Sequence, residues 1–280
     1  MSTSTPAAPI DQAQHWNEEG GRRWVENIVH VERMLEPLNA ELLALAAPRA
    51  GERVLDVGCG GGSTSAAFAQ AVGPSGQVLG VDVSAVILEV ARRRFAGVRG
   101  LSFEVGDAAT MALAGFDLIV SRFGLMFFAD PVAAFTGLRR AAAAHGRLAF
   151  VCWRGIELNP WMGECAKAAF SVLPRPEPTP PGAPGPFAFA DATRLRGILE
   201  AAGHVGIDIA ARDLLLDLGS AADALEQMTR MGPAAPGYAA ASVATRAAVD
   251  DALRAVLAAH LDGDRVRMPG AVWLVRAQCA

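Results

Sequence analysis

The chain is 280 residues long, with 52% hydrophobic residues, 19% charged residues and a formal net charge of −4. This composition can bury a sizeable core, which disordered chains cannot, and its acidic balance disfavours nucleic-acid binding. No apolar run approaches the roughly 18 residues of a membrane span, and residues 1–14 have no basic cluster before an apolar core. We therefore expect one large cytoplasmic domain without stable membrane insertion. Neither a metal site nor a disulfide framework is expected, because no CxxC pair occurs among Cys59, Cys152, Cys165 and Cys279.

The N-terminal segment has the periodicity of helices. Over residues 14–48 apolar side chains recur at helical spacing, and breaks are expected at Gly20-Gly21 and at Pro37. We therefore predict a helical unit over residues 1–48.

Residues 49–153 alternate short apolar runs with helical stretches. This alternation indicates βαβ units, and hence a mostly parallel sheet with helices on both faces. The predicted strands are residues 53–57, 77–81, 101–105, 116–120 and 148–153, and the predicted helices are 64–72, 85–95 and 131–144.

The remaining chain is less regular. Seven prolines between residues 174 and 186 exclude a helix or a central strand there. A helix is predicted over residues 191–202, strands over 205–211 and 271–277, and a helical stretch over 220–260. We expect residues 49–280 to form one domain, with cap insertions at about residues 154–190 and 219–263.

A glycine-rich loop after the first predicted strand is the most informative stretch. Its glycines lie at every second position, Gly58, Gly60 and Gly62, after Asp56 and before a helix. Glycines let the backbone approach a ligand closely, and a helix N-terminus offers free N–H groups. The loop thus suits a nucleotide-like ligand with an anionic group. A dinucleotide is one such ligand, although its motif places a third glycine where Ser63 stands.

The alternating glycines resemble motif I of class I S-adenosylmethionine-dependent methyltransferases, and later segments follow the same family in order. Asp82 ends the second strand, Gly106-Asp107-Ala108 follows the third, and residues 116–128 resemble motif IV. The resemblance looks closest to the small-molecule branch that includes ubiquinone and menaquinone methyltransferases. It implies cofactor contacts at Trp16, Arg23, Asp56, Gly58, Cys59, Gly60, Asp82, Val83, Ile87, Asp107, Ala108 and Ser121.

Asp82 and Asp107 differ in how well they distinguish an S-adenosylmethionine site from an NAD site. Asp82 is expected to bind the ribose hydroxyls, a device that NAD enzymes share, or else to cap the helix from Ala85. Asp107 is expected to bind the adenine amino group, and NAD folds have no standard acid there. The alternative for Asp107 is a solvated turn.

Aromatic residues flank the expected cofactor on both sides. Trp16 and Trp24 resemble a lid signature of this branch, with Glu18 where a glycine is usual, and they either cover the sulfonium by cation–π contact or simply pack helices. A second group lies after the fifth predicted strand and after the proline-rich stretch. These residues either form an apolar acceptor pocket or simply pack in the core, and the sequence favours neither: Trp153, Asn159, Pro160, Trp161, Phe187 and Phe189.

The prediction is an α/β, Rossmann-like, seven-stranded, mostly parallel sheet with helices on both faces, a helical cap and a last strand inserted antiparallel. The resemblance implies transfer of a methyl group from S-adenosyl-L-methionine to a small, fairly apolar acceptor at O, N or C, leaving S-adenosyl-L-homocysteine. No catalytic base is predicted, since alignment alone lowers the barrier to such a displacement. An NAD-dependent oxidoreductase and a non-methylating S-adenosylmethionine binder remain alternatives, and the oligomeric state stays open.

Overall fold

The computed structural model of the chain describes residues 12–177, 180 and 182–279. Within these residues the strands are β1 (Arg53–Val57), β2 (Gln77–Asp82), β3 (Leu101–Val105), β4 (Phe116–Arg122), β5 (Ala142–Trp153), β6 (Val205–Gly219), β7 (Leu261–Asp262) and β8 (Arg265–Gln278). The helices are α1 (Gln12–Asn17), α2 (Glu19–Glu26), α3 (Ile28–Ala46), α4 (Ser63–Val72), α5 (Ala85–Arg94), α6 (Pro131–Ala141), α7 (Pro160–Ala169), α8 (Ala192–Ala201), α9 (Ala221–Met231), α10 (Ala235–Ala240) and α11 (Val243–Ala258).

The strands form a single sheet in the order β3-β2-β1-β4-β5-β8-β6, and the two-residue β7 pairs with β8. Strands β1 to β5 are parallel, whereas β8 runs antiparallel to both β5 and β6. Seven long strands with a last strand inserted antiparallel confirm the predicted Rossmann-like fold. The central strands are apolar on both faces because helices cover the sheet on each side.

Short polar residues cap the starts of several helices. These caps fix the positions at which helices begin after the strands and loops that precede them. The Ser84 hydroxyl accepts the N–H of Ile87 at the start of α5, and the Asp130 carboxylate accepts the N–H of Ala133 at the start of α6. Ser220 forms a capping box with Asp223 at the start of α9. Such caps satisfy N–H groups that have no partner within the helix.

The N-terminal helices break at other positions than the sequence predicted. Gly20 and Gly21 lie inside α2 and Pro37 lies inside α3, whereas the breaks fall at Glu18 and Asn27. Packing explains the glycine at position 21, because a Cβ there would lie 2.0 Å from the carbonyl oxygen of Trp16. The glycine permits close contact between α1 and α2 instead of ending a helix.

Several predicted boundaries were also wrong. Helix α6 ends at Ala141 and β5 begins at Ala142, so His145, with φ of 65°, lies in a strand and not at a helix end. Strands β6 and β8 are longer than predicted because they continue as a paired ribbon, with Leu215 opposite Pro269.

No helix in the described part of the chain is both long and apolar enough to cross a membrane.

Candidate functional site

A cavity of about 690 Å³ lies beyond the carboxyl ends of β1, β2, β4 and β5. The N-terminal helices and α7, α9 and α11 close its other sides. Its walls are mainly apolar, with a few polar groups near the strand ends. This volume is within the range of small-molecule sites, and the position is where open α/β sheets bind ligands.

The glycine loop forms one wall of the cavity. Gly58, Gly60 and Gly62 have φ of 66°, 53° and 81°, which favour glycine over residues with a Cβ. A Cβ on Gly58 would also lie 2.6 Å from the Cα of Gly124, so this loop packs directly on the segment after β4. No side chain caps α4, whose first N–H groups therefore stay free near the loop.

Asp82 joins the glycine loop to the turn after β2. One carboxylate oxygen accepts the backbone N–H of Gly60 at 2.9 Å and the other accepts that of Ser84 at 2.9 Å. Burial raises the pKa of Asp82, against the opposing effect of these hydrogen bonds. The helix cap that was the alternative role for Asp82 is supplied by Ser84. Asp82 therefore presents a largely desolvated carboxylate at the cavity wall.

Asp56 lies behind the loop and is fully buried. Its Oδ2 accepts a hydrogen bond from the Ser65 hydroxyl at 2.6 Å, while its Oδ1 has no partner among the described residues. Burial raises the pKa of Asp56 to about 6, although the hydrogen bond from Ser65 and the charge of Arg122 act in the opposite direction. Asp56 does not line the cavity itself.

Most of the other predicted cofactor contacts are brought together at the cavity. Trp16, Cys59, Val83, Ile87, Asp107 and Ala108 all line it, next to Gly58, Gly60 and Asp82. Two do not. Ser121 is buried, where its hydroxyl donates to the Val57 carbonyl at 2.7 Å and accepts the Gly124 N–H at 3.1 Å. Arg23 pairs with Glu19 outside the cavity. Their role as ligand contacts stays a prediction.

Helix α1 is fastened to the turn that carries Asp82. The Asn17 amide donates to the carbonyl of Val83 at 2.8 Å and accepts the N–H of Ala85 at 2.9 Å. The Ser84 hydroxyl donates to the carbonyl of Trp16 at 2.6 Å. These bonds hold the N-terminal helices against the cavity and place the indole of Trp16 in its wall.

The aromatic group predicted for the acceptor pocket divides between cavity and core. Trp153 and Trp161 line the cavity, with ring centroids 5.1 Å apart, and Trp153 stacks on Phe123 at 4.2 Å. Phe189 packs in the core against Phe135. Asn159 is fully buried and anchors the Trp161 indole at 3.2 Å.

Sequence reasoning missed several residues that line the cavity. Arg122 lies in the wall, two residues beyond the strand predicted over residues 116–120. The amphipathic helix α9 contributes Gln227, Met228 and Met231, for which the sequence offered no ligand-binding signal. No histidine, lysine or tyrosine of the described residues lines the cavity, so none of these side chains serves as a base at its wall.

Comparisons with known proteins agree with this geometry. Residues 48–164 match the family model described as a methyltransferase domain. Over 118 residues the chain is 35% identical to the aklanonic acid methyltransferase DauC of Streptomyces sp. (strain C5), covering 41% of this chain and 54% of that protein. Over 100 residues it is 34% identical to the demethylmenaquinone methyltransferase of Staphylococcus aureus (strain JH9), covering 35% of this chain and 42% of that protein. The chain thus spans about half the length of the curated relatives it matches.

A solved structure extends the similarity of fold beyond this segment. Phosphoethanolamine N-methyltransferase 2 of Haemonchus contortus, in complex with S-adenosyl-L-methionine, matches 98% of this chain and 61% of that chain, with a TM-score of 0.60 and 15% identity. Residues 48–164 are therefore a methyltransferase domain on the class I, Rossmann-like fold. The predicted resemblance to S-adenosylmethionine-dependent methyltransferases of the small-molecule type is confirmed.

Proposed function

We propose that the protein transfers a methyl group from S-adenosyl-L-methionine to a small, fairly apolar acceptor. One observation carries the proposal. The glycine loop, Asp82 and Asp107 follow one another along one wall of a cavity whose remaining walls are mainly apolar. The polar wall suits a nucleoside joined to an amino acid, and the apolar space beside it suits the acceptor.

The residues present fit this cofactor. The carboxylate of Asp82 would bind the ribose hydroxyls, and Asp107 with Ala108 would contact the adenine. The unpartnered Oδ1 of Asp56 provides negative charge beneath the loop, near the proposed position of the amino-acid portion. When bound, the cofactor supplies an activated methyl group. The chain itself binds and aligns the two reactants and excludes water, which contributes most of the rate enhancement in such a displacement.

We propose further that the helices flanking the domain enclose the reactants. Residues 1–48 form a lid, of which residues 1–11 lie outside the described part of the chain. The insertions at about 154–190 and 219–263 form a cap that shapes the acceptor space. Trp16 and Trp24 face the cavity from the lid, where an indole attracts a sulfonium by about 0.5–2 kcal/mol.

The test is calorimetry of S-adenosylhomocysteine binding to Asp82→Ala. Loss of hydrogen bonds to a charged group predicts an affinity at least tenfold lower. Asp117→Ala is the matched control, because Asp117 also accepts a backbone N–H, that of Arg53 at 2.9 Å, at the opposite end of the sheet. Unchanged affinity in Asp82→Ala would remove this residue from the site.

Two further measurements address the alternative functions. A thermal-shift comparison of S-adenosylhomocysteine with NADH tests the oxidoreductase, because a ligand at 100 times its Kd stabilises the fold by about 2.7 kcal/mol. Stabilisation by NADH alone would contradict the proposal. Transfer of labelled methyl groups to a panel of hydroxylated and aminated apolar compounds tests the non-methylating binder. Binding of cofactor with no transfer to any acceptor would favour that alternative.

A further inference from the structure

Gln227 is a buried amide in a mainly apolar wall of the cavity. It lies on α9, is only 2% exposed and lines the cavity together with Met228 and Met231 of the same helix. Its Nε2 donates to the sulfur of Met34 at 3.4 Å, and its Oε1 is buried with no partner among the described residues. A side-chain amide has two donors and an acceptor oxygen with two lone pairs, and a thioether is a weak acceptor. Most of the hydrogen-bonding capacity of Gln227 is therefore unused.

A second buried amide of the cap shows what packing alone would require. Asn159 donates to three backbone carbonyls and accepts from the N–H of Ala271 and from the indole of Trp161. Buried polar groups are normally satisfied in this way, because a missing partner is unfavourable. The fold thus accounts for Asn159 but leaves Gln227 with an oxygen that a ligand can use.

The sulfur of Met34 determines which end of the Gln227 amide stays free. A thioether can accept a hydrogen bond but cannot donate one, so the contact favours the amide nitrogen over the oxygen. The free end is then an acceptor, which requires a ligand with a hydroxyl or an N–H group. Met34 itself lines the cavity, and its unbranched side chain can move aside for such a ligand.

The neighbouring helices offer no competing group. Among the described residues of α7, α9 and α11 that line the cavity, none carries a charge. The indole N–H of Trp161 is used by Asn159 at 3.2 Å, and the thiol of Cys165 is only a weak donor. Gln227 is thus the side chain with unused strong hydrogen-bonding capacity on these three helices. Their apolar surface also disfavours an ionic group, which would have to give up its water there.

We propose that Oε1 of Gln227 accepts a hydrogen bond from a hydroxyl or N–H group of the methyl acceptor, and that it thereby selects neutral, apolar acceptors carrying such a group. The inference rests on the proposed function, because it assigns an acceptor to the space beside the cofactor. Gln227 and Met34 both lie outside residues 48–164, which supply the glycine loop, Asp82 and Asp107. A site that hydrogen-bonds a hydroxyl rejects an analogue lacking it better than an apolar pocket distinguishes two apolar groups. Gln227 is therefore a specificity-determining residue.

The experiment compares two probes of nearly the same shape, 4-fluorophenol and 4-fluorotoluene, which differ in a hydroxyl and a methyl group. Both are small enough to turn within a cavity of about 690 Å³. Each is titrated by fluorine NMR into protein saturated with S-adenosylhomocysteine, so that the cofactor space is already filled. The preference for 4-fluorophenol over 4-fluorotoluene should be about 3- to 10-fold lower in Gln227→Met than in the wild type, as loss of one neutral hydrogen bond predicts.

Met228→Leu is the matched control. Met228 is the next residue of α9 and also lines the cavity, but it has an apolar side chain before and after the substitution. Repacking of α9 should change the affinities for both probes by the same factor and leave their ratio unchanged.

The outcomes separate the inference from the proposed function. An unchanged ratio in a folded Gln227→Met would overturn the inference. A crystal structure of the wild type with S-adenosylhomocysteine and 4-fluorophenol tests the same contact without any variant. The hydroxyl should lie within about 3.2 Å of Oε1 of Gln227, and a hydroxyl bonded to another group would overturn the inference. Weaker binding of S-adenosylhomocysteine by Gln227→Met would assign the amide to the cofactor and overturn it as well. Failure of the wild type to bind S-adenosylhomocysteine at all would refute the proposed function itself.

Discussion

Asp56→Asn should make the protein more stable, and by an amount that depends on pH. Burial of the Asp56 carboxyl raises its pKa from 3.8 to about 6, so ionisation is unfavourable in the folded state. Because this pKa is raised, the carboxyl stabilises the fold below pH 3.8, and this contribution is lost as the pH rises towards 6. Linkage gives a cost of about 1 kcal/mol at pH 4.5 and about 3 kcal/mol at pH 8. Asparagine has nearly the same shape but no charge to desolvate, and it can still accept the hydrogen bond from Ser65.

Urea denaturation of both proteins between pH 4.5 and pH 8 measures this difference directly. We expect the free energy of unfolding of the variant to exceed that of the wild type by an amount that grows with pH and levels off above pH 7. Asp217→Asn provides a contrast of opposite sign. Desolvation of Asp217 is outweighed by hydrogen bonds from Arg265 and the N–H of Gly219, which lower the pKa of Asp217, so its stabilisation is present above pH 3.8 and lost below it. A constant difference for Asp56→Asn, or a less stable variant at pH 8, would refute the reasoning.

Two further substitutions test buried amides by chemical denaturation. Asn159→Ala removes a side chain that donates to three carbonyls and accepts from the N–H of Ala271 and the indole of Trp161, so a loss of about 3–5 kcal/mol is expected. A loss below about 1 kcal/mol would show that these bonds are replaced by water. Gln227→Met should instead stabilise the fold by about 1–2 kcal/mol, since Gln227 has an unpartnered buried oxygen and only a weak contact with the Met34 sulfur. Destabilisation by this substitution would indicate that the amide has a partner.

The glycine loop was predictable because its chemistry is local. A buried strand, glycines at alternate positions and a helix start within ten residues leave few conformations for the backbone. Asp82 was predictable for the same reason, because parallel strands end at one edge of the sheet. The mostly parallel sheet followed from the alternation of strand and helix.

The rest of the cavity depends on contacts between distant parts of the chain. Arg122 is held at the cavity wall by a hydrogen bond to the carbonyl of Leu35, 87 residues earlier. Gln227 lies beside Met34 although the two are 193 residues apart. The predicted ends of β6 and β8 were wrong for a related reason. Leu215 and Pro269 are in strands because the two strands pair there, and not because of local sequence preference. Periodicity in one segment cannot reveal which other segment it packs on.

The cavity lies between the segment that matches the family model and helices that come before and after that segment in the chain. The strand ends and the glycine loop belong to residues 48–164, whereas Met34 on α3 and Met228 on α9 come from before and after that segment. Chimeric proteins can therefore combine this sheet with cavity-lining helices from a relative. Grafting α9 and its neighbours from a relative would change the shape of the proposed acceptor space, while the glycine loop and the strand ends would keep their own scaffold. Under the proposed function, preference for one acceptor over another could therefore diverge without any substitution in the sheet.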